Sequence, residues 1–450
     1  MTQELALELL KSGKNIFLTG SAGTGKTYVL NQFIKHLKTS KVKVAVTAST
    51  GIAATHISGS TIHSWSGIGI KQLLSSKDLA GLKKKKYLTD QFKKAKVLII
   101  DEISMLHREQ LDSIHNVLSY CLGDTRAFGG LQVVLCGDFF QLPPIGRQGE
   151  TSRDRFAFMS NSWLYAGFNI CYLTEQYRQS NNKLTEILDE IRSGSVSAAA
   201  IAELNKASET TFDEKITPTK LYTHNEDVDR INNEHLADIP GMSKIFNAKT
   251  KGEKALIDTL NRSVLTHDRM AIKIGAKVMF VKNNPEKGYI NGTLGEVIDY
   301  SDDNYPIVRT FDDLIIEATR EEWSILDDNE KTLASYKQVP LRLAWAITVH
   351  KSQGMTLDAA ELDLGRTFEM GQGYVALSRL KALENLKLLN FNARALEVDK
   401  LALKADQRFQ ELSEELVKNT DLEELVAAQK AFITGAGGRR LKKLGTRPKT

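Results

Sequence analysis

Gly20-Ser21-Ala22-Gly23-Thr24-Gly25-Lys26-Thr27 decides the first fold. It is a complete G-x-x-x-x-G-K-T loop between an apolar run, Ile16–Thr19, and a helical pattern, Tyr28–Leu37. In such a strand–loop–helix unit the glycines let backbone N–H groups turn toward phosphate oxygens, and the helix N-terminus adds positive charge. Gly20, Ala22, Gly23, Thr24 and Gly25 are expected to cradle a nucleotide. Lys26 would reach its β- and γ-phosphates, and the Thr27 hydroxyl would ligate Mg²⁺.

Outward from this loop, apolar runs recur at Asn15–Leu18, Val42–Thr47, Val97–Ile100, Gln132–Cys136 and Ile170–Leu173, separated by helical stretches. That alternation predicts a parallel, helix-covered sheet. A second set starts at Lys220–Thr223 and resumes at Leu341–Ile347, Ala360–Leu364 and Leu386–Asn390. The fold class is therefore α/β, with two parallel-sheet cores. Between the halves of the second set, Lys277–Lys282, Gly292–Tyr300, Tyr305–Phe311 and Leu314–Ala318 are short β-type runs between turn signals. They predict a small antiparallel barrel. The expected boundaries are 1–180 for the first core, with a small wedge-type insertion near 55–90; 181–240 with 336–400 for the second; 241–335 for the inserted β domain; and 401–450 for a helical end and basic tail.

The 450 residues suffice for about three domains. No stretch approaches the ~18 apolar residues of a membrane span. Met1–Lys14 reads as an amphipathic helix, not a signal sequence. Cys121, Cys136 and Cys171 show no C-x-x-C spacing, which argues against a disulfide framework and a zinc module and suits a reducing, cytoplasmic setting. The net charge is +5, but Arg439–Lys449 alone holds six basic residues, leaving the remainder at −1. Bulk charge thus gives little support for nucleic-acid binding. The tail, and the cluster Lys83–Lys86 with Lys93, Lys94 and Lys96, read first as solvated surface.

Chemistry concentrates at strand ends. Lys96-Val-Leu-Ile-Ile-Asp101-Glu102 ends an apolar strand in two carboxylates, costly unless they meet a cation or polar work. Asp101 would hold Mg²⁺ and Glu102 would polarise the attacking water. In Gly137-Asp138-Phe139-Phe140-Gln141-Leu142-Pro143-Pro144, Gln141 can sense the γ-phosphate and order that water. The prolines stiffen the loop, and Phe139 and Phe140 read as core or as relay. Arg178 and Arg379 end polar segments in the two cores, where a guanidinium can stabilise transition-state charge. They suggest a nucleotide held between the cores.

Taken in order, Gly20–Thr27, Thr47–Ala54, Gly59–Trp65, Asp101–Leu106, Gly129–Gln132 running into Gly137–Ile145, Leu173–Gln179, Leu343–Asp358 and Gly371–Arg379 resemble the motifs of PIF-type (petite integration frequency) superfamily-one DNA helicases, relatives of RecD. The resemblance covers residues ~15 to ~390. It implies two RecA-like motor domains with an SH3-like insertion in the second, and ATP-driven 5′-to-3′ movement on single-stranded DNA with unwinding of duplex or forked DNA. It further implies action as a monomer, ATP and Mg²⁺ as cofactors, genome maintenance as the default role, and a cytoplasmic setting, bacterial or nucleoid-associated. G-quadruplexes and R-loops are further candidate substrates. By resemblance, Gln353, Gly354 and Gln3 touch the nucleotide, with Gln3 at the adenine edge. Thr50, Thr55, His63, Trp65, Pro143, His350 and Lys351 are the expected DNA track. For Trp65, core or wedge packing is an equal alternative to a strand contact. A translocase that does not unwind, an RNA helicase and a nucleotide-switched binding module are the rival readings.

Overall fold

In this computed structural model the chain is described except for residues 70, 178–181, 213–217, 265, 290–291, 311–312, 327–331 and 440–450. It divides into two compact units, residues 1–180 with 398–450, and residues 181–397.

The first unit is built on six parallel strands: β1 (Ile16–Gly20), β2 (Val44–Ala48), β3 (Ser60–Thr61), β4 (Val97–Asp101), β5 (Gln132–Cys136) and β6 (Asn169–Leu173). Their order is β3-β2-β4-β5-β1-β6. Strands β1, β4 and β5 are buried at every residue, because helices cover both faces. Side-chain alternation still divides them between two cores. Ile16, Leu18, Val97, Ile99 and Val134 face one core, with Leu9 and Leu10 of α1 (Gln3–Leu10) and Leu30, Phe33 and Leu37 of α2 (Lys26–Thr39). Phe17, Leu98, Ile100, Val133 and Leu135 face the other, with Leu111, Ile114 and Leu118 of α3 (Arg108–Leu122).

The end of the chain completes this unit. Helix α4 (Lys400–Lys418) inserts Phe409 beside Phe17, with ring centroids 5.2 Å apart. Its Ser413 Oγ accepts from Tyr172 N at 3.0 Å, and Asp406 accepts from the Tyr172 hydroxyl at 3.1 Å. Helix α5 (Leu422–Gly435) adds Leu425 and Ile433 to the opposite core. The basic tail beyond Arg439 lies outside the described residues.

In the second unit, after helices at Asn182–Ser193 and Ala198–Lys206, the first strand is β7 (Thr219–Tyr222). The chain then runs through β8 (Lys244–Asn247), β9 (Lys249–Gly252), β10 (Arg269–Ile272), β11 (Lys277–Phe280) and β12 (Leu294–Tyr300). Strands β13 (Pro306–Thr310), β14 (Ile315–Glu317), β15 (Glu321–Leu326), β16 (Thr332–Gln338) and β17 (Leu341–Leu343) continue the excursion. The chain returns on β18 (Ala346–Thr348), β19 (Ala360–Leu364) and β20 (Leu386–Phe391). The parallel sheet has the order β18-β7-β19-β20; the excursion forms antiparallel sheets, the largest β14-β13-β12-β11-β17. The expected single strand Leu341–Ile347 is in fact two. Leu341–Leu343 pairs antiparallel with β11, and Ala346–Thr348 pairs parallel with β7. The crossing takes two residues: Ala344 N donates to Lys277 O on one side, and Trp345 O accepts from Lys220 N on the other. One apolar run thus serves two sheets.

Candidate functional site

The carboxyl ends of β1, β4, β5 and β6 are where a parallel sheet leaves backbone and side chains free for a ligand. Here they carry most of the expected chemistry.

The loop after β1 is shaped by its glycines. Gly25 has φ +80° and caps α2 in the left-handed conformation; a Cβ there would lie 2.1 Å from Gln3 Nε2. Gln3 itself donates to Thr24 O at 3.0 Å, so the N-terminal helix touches the loop directly. Lys26 Nζ donates to Gly20 O at 2.8 Å and Ser21 O at 3.0 Å, bonds a phosphate oxygen can replace. Thr24 is fully buried and donates to Ser21 O, Ala22 is buried, and Thr27 at the mouth of α2 is exposed. From β6, Gln176 Nε2 donates to Ser21 Oγ at 2.6 Å and Tyr177 N to Gly23 O at 3.0 Å. Arg178, the next residue, lies outside the described residues.

At the end of β4, burial pushes the Asp101 carboxyl above its usual range, against the Cys136 thiol, the Glu102 N–H at 2.9 Å and the Lys26 charge, which favour the carboxylate. Burial and the Asp101 charge push the Cys136 thiol well up in turn. A dication beside the Asp101 carboxyl would favour the carboxylate. Glu102 adopts φ +52°, ψ +47°, left-handed without being glycine, a strained conformation that aims the side chain and collects at active sites. Ser49 holds it there, donating from Oγ to Glu102 O at 2.7 Å.

After β5, Asp138 ties the loop by accepting from Phe140 N at 3.1 Å and, at its carbonyl, from Gln141 N at 3.0 Å. Gln141 is buried and its Oε1 has no hydrogen-bond partner among the described residues. An orphaned acceptor in this position suits a water or a substrate hydroxyl proton. Phe139 belongs to the core, centroid 4.7 Å from Phe158 and 5.5 Å from Phe17. Pro143, two residues on from Gln141, is half-buried.

Of the expected DNA-track residues in this unit, Thr50 accepts from Ala53 N at 3.2 Å at the start of Gly51–His56. Thr55 lies in that helix, and its side chain is outside the described ones. Burial holds His63 below the usual histidine range, opposed by its bond to Gln110. Trp65 packs on Phe92, with centroids 5.0 Å apart, and its carbonyl accepts from Gln91 Nε2.

In the second unit, His350 and Lys351 sit in the turn Val349–Ser352 directly after β18. The His350 ring stacks over Phe368 at 6.2 Å, and burial lowers its pKa. Burial, then the neighbouring Arg342 charge, brings the Lys351 ammonium down to about 8. Gln353 is buried and Gly354 has φ +81°. Arg379 is buried, donating to Val375 O at 2.9 Å, Met355 O at 3.2 Å and Ser378 Oγ at 2.8 Å. The bond to Met355 O joins the Gly371–Arg379 segment to the one around Gln353.

The structure thus brings together Gly20–Thr27, Asp101, Glu102, Gln141 and Gln3 in the first unit, and Gln353, Gly354 and Arg379 in the second. Sequence reasoning missed Ser49, Cys136 and Gln176. Gln176 had a signal, a polar run just past a buried strand; Cys136 looked like one more apolar core residue.

Comparison with known proteins gives a consistent picture. Residues 3–200 match the family model of the PIF1-like helicase, and residues 255–300 that of the DNA helicase Pif1 2B domain. The ATP-dependent DNA helicase Pif1 of Psychrobacter sp. (strain PRwf-1) is 48% identical over 501 aligned positions, covering 97% of this chain and 75% of that protein. The crystal structure of Pif1 helicase from Candida albicans superimposes with a TM-score of 0.83 at 33% identity, covering 90% of this chain and 98% of that one. Pif1 helicase from Bacteroides, crystallised with ADP-AlF3 and single-stranded DNA, gives 0.72 at 32%, covering 91% and 96%.

Proposed function

The chain belongs to the PIF1-like helicase family of ATP-dependent DNA helicases, and from that premise we propose that it moves 5′ to 3′ along single-stranded DNA, hydrolysing ATP and unwinding the duplex ahead. The observation that carries the chemistry is the orphaned Gln141 Oε1 in the loop after β5, in the same unit as a phosphate loop closed by Lys26 and a buried Asp101 at the end of β4.

Each residue then has a role. Lys26 leaves its two carbonyl partners for the β- and γ-phosphates, while Gly20, Ala22, Gly23, Thr24 and Gly25 offer backbone N–H groups. Mg²⁺, held by Thr27 and Asp101, would neutralise phosphate charge. Glu102 accepts the proton of the attacking water and Gln141 orients that water. Arg178 and Arg379 offset charge in the transition state, Gln353 and Gly354 are the second unit's nucleotide sensors, and Gln3 stands at the adenine edge. For Arg379 this requires exchanging internal carbonyl partners for phosphate, which makes it a two-state element biased by the γ-phosphate.

Thr50, Thr55, His63, Pro143, His350 and Lys351 are the proposed strand contacts. Trp65, braced on Phe92, serves as a rigid wall at the wedge rather than as a swinging ring. The excursion in the second unit is read as an SH3-like barrel. No described helix is long and apolar enough to cross a membrane; we propose action in the cytoplasm, as a monomer, in genome maintenance, with forked DNA the main substrate and G-quadruplexes and R-loops further ones. Phosphate contacts release counterions, so affinity for single strands should fall steeply as salt rises. A fluorescence titration of a labelled oligonucleotide from low to high salt tests this, and a flat profile would contradict the phosphate track.

A further inference from the structure

Helix α1 is pinned at both ends and along its side, and one pin comes from the far end of the chain. At its start Gln3 Nε2 donates into the phosphate loop, to Thr24 O at 3.0 Å. At its end Gln132 Nε2 donates to Leu10 O at 2.8 Å and Lys14 O at 2.9 Å. Between them, Gln429 on α5 donates to the Glu8 carbonyl at 2.9 Å and to Glu8 Oε2 at 2.8 Å. Lys11 closes the same carboxylate at 2.6 Å. One turn beyond Gln429, Phe432 lies so close under Gly13 that a Cβ there would come within 2.4 Å of its ring.

A helix of eight residues is marginal in water on its own, so its direction is set by what holds it. The loop it touches contains three glycines at positive φ and is soft by composition. The contact at Thr24 O is therefore only as well placed as α1 is, and α1, seated by the buried Ala6, Leu9 and Leu10, is oriented by its pins.

We propose that Gln429 is a positioning residue for nucleotide binding: through Glu8 and α1 it holds Gln3 against Thr24 and keeps the phosphate loop in its receiving conformation. The proposal rests on the nucleotide reading above. It assigns the returning segment 398–439 a role in ATP affinity, in addition to filling the cores. Gln429 touches no reacting atom, so its loss should weaken nucleotide binding and leave the chemical step alone.

The test is DNA-stimulated ATPase kinetics on Gln429→Leu, Gln429→Lys, Gln3→Ala and the Gln3→Ala/Gln429→Leu double variant, with thermal melting alongside. Loss of a hydrogen-bonded pin should raise the KM for ATP about three- to tenfold with kcat within about twofold. Gln429→Lys restores a donor to Glu8 and should return KM to near wild type. The double variant should be no worse than Gln3→Ala, because both act through one contact. An unchanged KM in Gln429→Leu, even with a lowered melting temperature, or effects that multiply in the double variant, would overturn the proposal. Should Gln429→Leu not fold, Gln429→Ser carries the same readout. A wild-type chain that binds no ATP, or a Lys26→Ala chain that binds it equally well, would instead overturn the nucleotide reading, and this proposal with it.

Discussion

The sheet of the first unit and the antiparallel excursion of the second are both β-structure, yet they differ in what they do with their residues. Strands β1, β4 and β5 are apolar and wholly buried, and each ends in chemistry: Gly20, Asp101, Gly137. In the excursion, β13 alternates buried and exposed residues, and β9, Lys-Thr-Lys-Gly, is exposed throughout. A parallel sheet puts all its strand ends on one side, so loops from distant parts of the chain converge there. An antiparallel excursion spreads its loops and builds a surface. The first arrangement suits a site with several reacting groups, the second a small stable body.

Perturbations should therefore affect the two regions differently. The largest effect is expected at Glu102. Glu102→Gln should keep ATP binding and lower hydrolysis by about 10²–10⁴-fold, the usual worth of a general base; near-normal turnover would remove Glu102 from the mechanism. Lys26→Ala should cost about 10²–10³-fold in turnover and also weaken ATP binding, read by single-turnover hydrolysis. Stability changes should separate the regions next. Phe17→Ala in β1 and Phe280→Ala in β11 each remove a fully buried ring and should cost about 3–5 kcal/mol by denaturant melting. Only the first should also damage DNA-independent ATPase activity, since Phe17 lies three residues before the phosphate loop. Equal losses of ATPase in both would erase the distinction. The smallest effect concerns pH. Lys351, held at about 8, is charged at neutrality and loses that charge as pH rises through this value. Single-strand affinity should fall about tenfold between roughly pH 7 and 9 and stay flat in Lys351→Arg; an identical fall in both would assign the titration elsewhere.

The same contrast explains what could be read in the sequence. Gln132–Cys136 and Ala360–Leu364 were expected at their observed limits: the first is buried at every residue and reads as one apolar run, and the second alternates buried apolar residues with half-buried Glu361 and Asp363. Strands β11, β12, β13 and β14 were found within a few residues, but β8, β9, β10, β15 and β16 were missed; β9, Lys-Thr-Lys-Gly, is exposed throughout and carries no apolar signal, and β8 and β10 are only four residues long. Leu341–Ile347 failed for the opposite reason: two strands of different sheets share one apolar run, and only the hydrogen bonds at Ala344 and Trp345 divide them. Within the candidate site, Lys26 was proposed from its glycine-rich loop and Asp101, Glu102 and Gln141 from polar groups at or just past buried strand ends, where such groups need a reason to be. Ser49 and Cys136 were not, because their roles depend on which backbone they face.

The most direct test of the account is strand separation with ATP and Mg²⁺ on duplexes bearing a 5′ or a 3′ single-stranded tail, beside a Lys26→Ala control. Separation of the 5′-tailed duplex alone, absent in the control, is the predicted result. Separation from the 3′ tail, or separation that survives Lys26→Ala, would contradict it.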